Sequence, residues 1–166
     1  MLETVVNLFT RRDPRREASV ALTRIISRYD MQRLSFEEGI AEERRCREER
    51  SVALSVWLFP INDSASTEKY AIDRGVPAVS HNVRAEGFGI MTPVRLKSER
   101  FLVATPLEDD SAGWRYFECT VRHNTRAPGG WYQLGVQVER IADLDGDERI
   151  AFRRHIAAVH GDSSAD

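Results

Sequence analysis

The sequence is poor in lysine, and its charges nearly cancel. Lys69 and Lys97 are the only lysines among 24 basic residues, and 26 acidic residues bring the net charge to −2. A chain with this balance has no overall basic field that would attract nucleic acid or an anionic membrane surface. We therefore expect no DNA partner, and any recognition of an anion must depend on local clusters of arginine.

Cysteine and long apolar runs are also scarce. Cys46 and Cys119 lie far apart in the sequence, which suggests neither a disulfide framework nor a metal site and favours a reducing compartment. No apolar run approaches the roughly 18 residues that a membrane span needs. The apolar patch near the N-terminus precedes its arginines, the reverse of the order in a signal peptide. We predict a cytoplasmic protein with no membrane span, no metal and no cofactor.

Helical periodicity dominates residues 1–50. Apolar residues recur at helical spacing from Ala18 to Tyr29, and Ser35 with Glu38 has the pattern of a capping box that would begin a second, highly charged helix. We assign residues 1–50 to a helical N-terminal extension. Its apolar stripe is a candidate surface for forming a homo-oligomer or for docking on a protein partner, whose identity stays unknown.

The hydrophobic period changes from helical to alternating at Ser51. Apolar residues alternate from Val52 to Leu58 in a strand that ends at Pro60. Short strands joined by tight turns, without helices between them, are typical of an antiparallel barrel or sandwich. We predict a mainly β fold, a six- or seven-stranded antiparallel β-barrel over residues 51–141, followed by a C-terminal helix and tail over 142–166. The further strands are expected at 78–83, 88–92, 101–105, 114–124 and 131–141.

Three segments occur in an order that resembles the PilZ domain family. Four arginines directly precede the first strand, a hairpin reads Asn82-Val83-Arg84-Ala85-Glu86-Gly87, and a late strand contains Gly135-Val136. In that family an arginine motif precedes the first barrel strand, an Asp/Asn-x-Ser-x-x-Gly hairpin follows, and a Gly-Val strand closes the barrel. The resemblance implies a PilZ-like barrel that acts as a non-enzymatic receptor or adaptor in bacterial second-messenger signalling and binds cyclic di-GMP.

The resemblance also implies which residues bind the nucleotide. Arginine suits this ligand because its planar fork can bond a phosphate or the O6/N7 edge of guanine, and can also stack on the base. The amide of Asn82 could reach a guanine edge, and Gly87 is expected to supply the positive φ of a hairpin turn. No catalytic residue is expected. The ligand-binding set is Arg44, Arg45, Arg47, Arg50, Asn82, Arg84 and Gly87.

Two departures from the family pattern leave a second function open. The arginines before the first strand contain no pair separated by four positions, and Arg84 stands where the family has serine. Arg84 either replaces a missing arginine contact or blocks the pocket. Pairs with the right spacing occur earlier, Arg11 with Arg15 and Arg12 with Arg16, and a helical hairpin could bring them back to the barrel. The alternative function is a degenerate PilZ-like protein–protein interaction module that does not bind the nucleotide.

The other reactive side chains give little support for an enzyme. Cys119 and His123 share a predicted strand face but lie about 13 Å apart along it, which is too far for a nucleophile–base pair. The acidic segment 143–147 does not begin a calcium loop, since Glu148 holds the required glycine position and Arg154 the twelfth, and it is expected to cap the last helix. An oligonucleotide-binding barrel would need a basic aromatic face, which the net charge of −2 does not favour. The arginines before the first strand have an alternative role that involves no ligand. They could form salt bridges at a solvent-exposed helix end.

Overall fold

A computed structural model describes residues 13–36, 53–62, 68–106 and 113–161 of the chain. Six strands form one closed antiparallel barrel in the order β1-β2-β3-β6-β5-β4. The predicted mainly β fold is confirmed, with six strands. Helix α1 (Pro14–Phe36) precedes the barrel and helix α2 (Gly146–Gly161) follows it. The strands are β1 (Ser55–Pro60), β2 (Val76–Arg84), β3 (Gly87–Thr92), β4 (Arg100–Pro106), β5 (Trp114–Arg126) and β6 (Tyr132–Ile141).

The barrel interior is filled by every second residue of the strands, as the alternating pattern predicts. Helix α1 contacts β6 and β2 and adds four buried residues, Ala18, Ala21, Leu22 and Ile25, to the same core. The helix therefore shares one hydrophobic core with the barrel. The strand residues of this core include Val56, Leu58, Val83, Phe88, Ile90, Phe101, Val103, Phe117, Cys119, Leu134, Val136 and Val138.

The N-terminal helix differs from the prediction at Ser35. Helix α1 continues through Ser35 to Phe36, so this serine does not begin a second helix. Ser35 lies inside a continuous helix, so its local capping pattern does not start a new one there. Residues 37–50, on which the rest of that prediction falls, lie outside the described residues.

Helix α2 covers the outer face of the barrel at β1, which is why that strand is buried on both faces. Trp57 and Phe59 point outward beneath the helix, and the ring centroids of Phe59 and Phe152 are 4.7 Å apart. Only one narrow face of α2 is buried. Phe152 lies on it, whereas the apolar side chains of Ile150 and Val159 are exposed.

The predicted cap of the last helix is confirmed. The backbone N–H of Glu148 donates to Asp145 Oδ1 at 2.8 Å, and the backbone N–H of Asp145 donates to Glu148 Oε2 at 3.1 Å. This reciprocal pair is a capping box, which satisfies two donors at the helix start. Neither of the two helices in the described part of the chain is long and apolar enough to cross a membrane.

Candidate functional site

A cleft of about 280 Å³ lies on the outer face of the barrel, across strands β2, β3, β6 and β5. Val83, Phe88 and Leu134 point into the core, so the residues that alternate with them point outward to the cleft. Glycine backbone forms its floor, and side chains of β2 and β5 form its two long walls. The lining residues are Asn82, Arg84, Glu86, Gly87, Phe88, Gly89, Arg122, His123, Gln133, Gly135, Val136 and Gln137.

The floor of the cleft consists of Gly87 and Gly89 on β3 and Gly135 on β6, which we call the glycine floor. Gly89 and Gly135 lie directly opposite each other in the β3–β6 pairing. Because these positions have no side chains, side chains of β2 and β5 can extend over the floor. A Cβ built on Gly89 would lie 2.0 Å from Oδ1 of Asn82, and one built on Gly135 would lie 2.0 Å from Cε1 of His123.

Gly87 has a different role from the one predicted. In the described part of the chain, positive φ among glycines occurs at Gly113, Gly129 and Gly130, and not at Gly87. The β2–β3 turn is made by two residues, 85–86, and Gly87 already pairs with Arg84 in the strand ladder. A Cβ on Gly87 would lie 2.0 Å from the carbonyl oxygen of Val136. Glycine is therefore needed here for the close approach of two backbones, not for the turn.

The β2 wall contains the predicted residues Asn82 and Arg84. A register shift between Ser80 and Asn82 marks a β-bulge, after which Asn82 pairs with Gly89 and points into the cleft. Arg84 is exposed at the end of β2, beside Gly87, and lines the cleft. At the end of the cleft nearest the bulge, His81 Nε2 is 3.1 Å from Gln133 Nε2.

The β5 wall, formed by Arg122 and His123, was missed by sequence reasoning. The predicted common face of Cys119 and His123 is wrong, because the register shifts between Val121 and His123. Cys119 therefore faces the core, whereas His123 is exposed over the glycine floor. The side chain of Arg122 is held by Gln137, whose Oε1 accepts from Arg122 Nε at 2.7 Å and from a terminal guanidinium nitrogen as well.

One sequence signal could have pointed to this wall. Gly135 lies in the interior of a predicted strand, where glycine is unfavourable and often marks a bulge or a close approach by another group. That close approach is made by His123, its partner in the β5–β6 pairing. The signal shows that something approaches Gly135, but it does not identify the residue.

The arginine segment that was predicted to bind the nucleotide precedes β1. Arg44, Arg45, Arg47 and Arg50 lie outside the described residues. Of the earlier arginines, Arg15 at the start of α1 donates from Nε to Glu139 Oε2 at 2.9 Å. Glu139 is two residues beyond the lining residue Gln137 on β6, so the start of α1 is held close to one end of the cleft.

The cleft carries positive charge at its rim. Arg84 and Arg122 stand on opposite walls, and Glu86 at the β2–β3 turn is the carboxylate among the lining residues. No group of His, Cys, Asp or Glu in the ranges that the structure describes could hold a metal ion. The cleft therefore presents two guanidinium groups, carboxamides and the imidazole of His123, which suit a planar anionic ligand.

A second polar cluster has a structural role. Glu118 on β5 is 1% exposed and accepts hydrogen bonds from Lys69, from the hydroxyl of Tyr70 at 2.6 Å and from Arg140 Nε at 2.8 Å. Burial alone would raise the pKa of Glu118, but these donors outweigh it and lower the pKa to about 2. Burial and the bond to Glu118 raise the pKa of Tyr70. Because the carboxylate is already satisfied, this cluster is not a binding site candidate.

No family model and no curated protein sequence matches the chain. Among solved structures, the chain is similar to the Bacillus subtilis inhibitor of motility (MotI/DgrA), with 15% identity and a TM-score of 0.44. The match covers 75% of this chain and 56% of the other, so the chain spans little more than half the length of that protein. A likeness at this level decides neither family nor function, which depend on the residues of this chain.

Proposed function

We propose that this protein is a PilZ-like, non-enzymatic receptor or adaptor that binds cyclic di-GMP in the cleft of the barrel. The observation that carries this function is that Asn82, Arg84 and Gly87, the hairpin residues of the family-like motif, all line one cleft with a glycine floor. The arginines before β1 would complete the site. The protein would then transmit the signal to a partner by binding rather than by catalysis.

The chemistry of the cleft suits a guanine nucleotide. Arg84 can bond a phosphate or the O6/N7 edge of a guanine, and the amide of Asn82 can both donate and accept. The volume of about 280 Å³ is at the lower limit for small-molecule sites. It is enough for one part of a ligand with two guanines and two phosphates, so a second segment must cover the rest.

The arginine segment before β1 is our candidate for that cover, because the described chain enters β1 beside Ser80. Leu54 and Ser80 are joined by two hydrogen bonds, from Leu54 N to Ser80 Oγ and from Ser80 N to Leu54 O, each of 2.9 Å. Followed back toward Leu54, the antiparallel register of β1 with β2 approaches the end of β2 that carries Asn82. Chain connectivity keeps the Cα of Arg50 within about 14 Å of that of Leu54.

The contacts of α1 suggest how binding would be transmitted. This helix packs on β2 and β6, which also contribute a wall and part of the floor of the cleft. A ligand that contacts the segment before β1 would change the surface that the N-terminal region presents to a partner. Binding and partner recognition would then be coupled through the shared strands.

Isothermal titration calorimetry with cyclic di-GMP tests this function. We expect the unmodified protein to bind, and Asn82→Ala, Arg84→Ala and Arg50→Ala each to weaken binding on the order of 5- to 140-fold, the equivalent of about 1–3 kcal/mol per recognition contact. Arg126→Ala is the matched control, because Arg126 is an exposed arginine of β5 that does not line the cleft. The absence of any binding heat at high micromolar cyclic di-GMP would overturn the receptor function.

The alternative, a degenerate module that binds protein but not the nucleotide, is favoured by Arg84 itself. Its position in the family-like motif normally holds serine, and its side chain lines the cleft. Arg84→Ser separates the two functions. If Arg84 is a ligand contact, this change weakens binding; if the arginine blocks the site, the unmodified protein does not bind and the serine variant gains affinity.

A further inference from the structure

Both walls of the cleft are built around a β-bulge. The shift between Ser80 and Asn82 turns Asn82 outward, and the shift between Val121 and His123 does the same for His123. Without the extra residue each side chain would point into the barrel, because strand residues alternate between faces. Bulges are frequent beside binding sites, where they redirect a side chain. The β5 wall is therefore constructed like the β2 wall, although it carries no part of the family-like motif.

Asn82 and His123 are the ends of one row of residues across the sheet. The row runs Asn82, Gly89, Gly135 and His123, each paired with the next on the neighbouring strand. The two central positions have no side chain, so each end residue extends over the adjacent glycine. The row presents a carboxamide and an aromatic ring on a flat backbone surface.

One face of the His123 imidazole packs against Gly135. A Cβ built on this glycine would be 2.0, 2.4 and 2.7 Å from Cε1, Nδ1 and Nε2 of the ring. These three distances place the Cβ position of Gly135 above the plane of the His123 ring, rather than beyond the edge of the ring in that plane. His123 is exposed and lines the cleft, so we infer that the ring face turned away from Gly135 is the one available to a ligand.

We propose that His123 is the stacking surface for a purine base of the bound nucleotide, an assignment that rests on the proposed function for its ligand class. Bases stack on aromatic side chains, histidine included, when one face of the ring is accessible. Arg122 stands beside it, held by Gln137, and its guanidinium retains donors for a phosphate or a guanine edge. The β5 wall thus binds a base, while the β2 wall binds another part of the nucleotide.

The test compares replacements of His123 in binding to four probes: cyclic di-GMP, cyclic di-AMP, GMP and AMP. Loss of a base–aromatic stack corresponds to a Kd increase on the order of 5- to 140-fold, and we expect this for His123→Ala. His123→Phe keeps the ring but no ring nitrogen, and should retain binding within about threefold. Thr125→Ala is the matched control, since Thr125 lies two residues along the same strand, is exposed and does not line the cleft.

Two further measurements separate stacking from a structural effect. The purine H8 proton should move upfield on binding to the unmodified protein, through the ring current of His123, and this shift should disappear with His123→Ala. Gly135→Ala should displace the ring, because the contacts of the new Cβ are with a flexible side chain. In the His123→Ala background, the same glycine replacement should add little to the loss of affinity.

The outcomes distinguish this assignment from the proposed function. If cyclic di-GMP binds and His123→Ala leaves both Kd and the H8 shift unchanged, the stacking role is wrong and the receptor function stands. If cyclic di-GMP does not bind but another purine probe binds in a way that depends on His123, the receptor function is wrong and the stacking role stands. If none of the four probes binds, both are wrong.

Discussion

Replacement of Glu118 by glutamine should lower the free energy of unfolding by about 3 kcal/mol at pH 7. The carboxylate is nearly inaccessible, and its two oxygens serve different donors: Oε1 accepts from Lys69 and Tyr70, and Oε2 accepts from Arg140. Glutamine has the same shape but only one acceptor oxygen. Whichever oxygen position its NH₂ group takes, that group faces a charged donor, Lys69 at one position or Arg140 at the other.

The magnitude follows from the pKa of Glu118, which the fold lowers from 4.5 to about 2. Each unit corresponds to about 1.4 kcal/mol, which gives about 3 kcal/mol. The value is an upper estimate, because the side chains of Lys69 and Arg140 are 44% and 51% exposed and regain water when the carboxylate is removed. A folded pKa below the unfolded one stabilises the protein above about pH 4.5, and this contribution is lost as the pH falls toward 2.

Urea unfolding followed by tryptophan fluorescence measures this difference. The gap between the unmodified protein and Glu118→Gln should fall from about 3 kcal/mol at pH 7 to roughly half of that at pH 3. Glu99→Gln, at an exposed carboxylate, is the control and should change stability by no more than about 0.5 kcal/mol. A gap that stays constant between pH 7 and pH 3, or that grows on acidification, would refute the assignment of charge to Glu118.

Three other properties can be checked by similar means. Gly87→Ala should destabilise the protein by about 1–3 kcal/mol in urea, because its Cβ would collide with a backbone carbonyl of β6, and a neutral effect would contradict the close approach. Arg15→Ala breaks an ion pair with Glu139 in which the arginine side chain is 58% exposed, so its cost should stay within about 1 kcal/mol by thermal unfolding. Burial raises the pKa of the Cys119 thiol, so in a Cys46→Ser background it should not react with a thiol reagent at pH 8 until the protein is unfolded.

The sequence was sufficient for the strands and for most of the core. Alternation from Val52 to Leu58 predicted a strand that ends at Pro60, and the structure has β1 over Ser55–Pro60. The pattern is reliable here because burying one face of a strand fixes its residues in a period of two. The C-terminal helix, which the structure has over residues 146–161, followed from the same kind of local signal, an apolar spacing with an acidic segment expected to cap its start.

The cleft was only half predictable. The hairpin motif identified Asn82, Arg84 and Gly87, because all three lie on one short segment of the chain. The opposite wall comes from residues almost forty positions later, and it meets the first only through the pairing of β3 with β6. Periodicity could not reveal it, since the bulge at Arg122 breaks the alternation on which periodicity depends.

The sequence by itself thus determined which segments become strands and helices and which of their faces are apolar. The tertiary structure alone decided that Gly89 stands opposite Gly135, and that Asn82 and His123 extend over this pair from either side. The physical reason is that hydrophobic patterning is local, whereas register is a property of two strands at once. One bulged residue, which costs little and leaves the pattern intact elsewhere, moves a side chain from the core to the candidate binding surface.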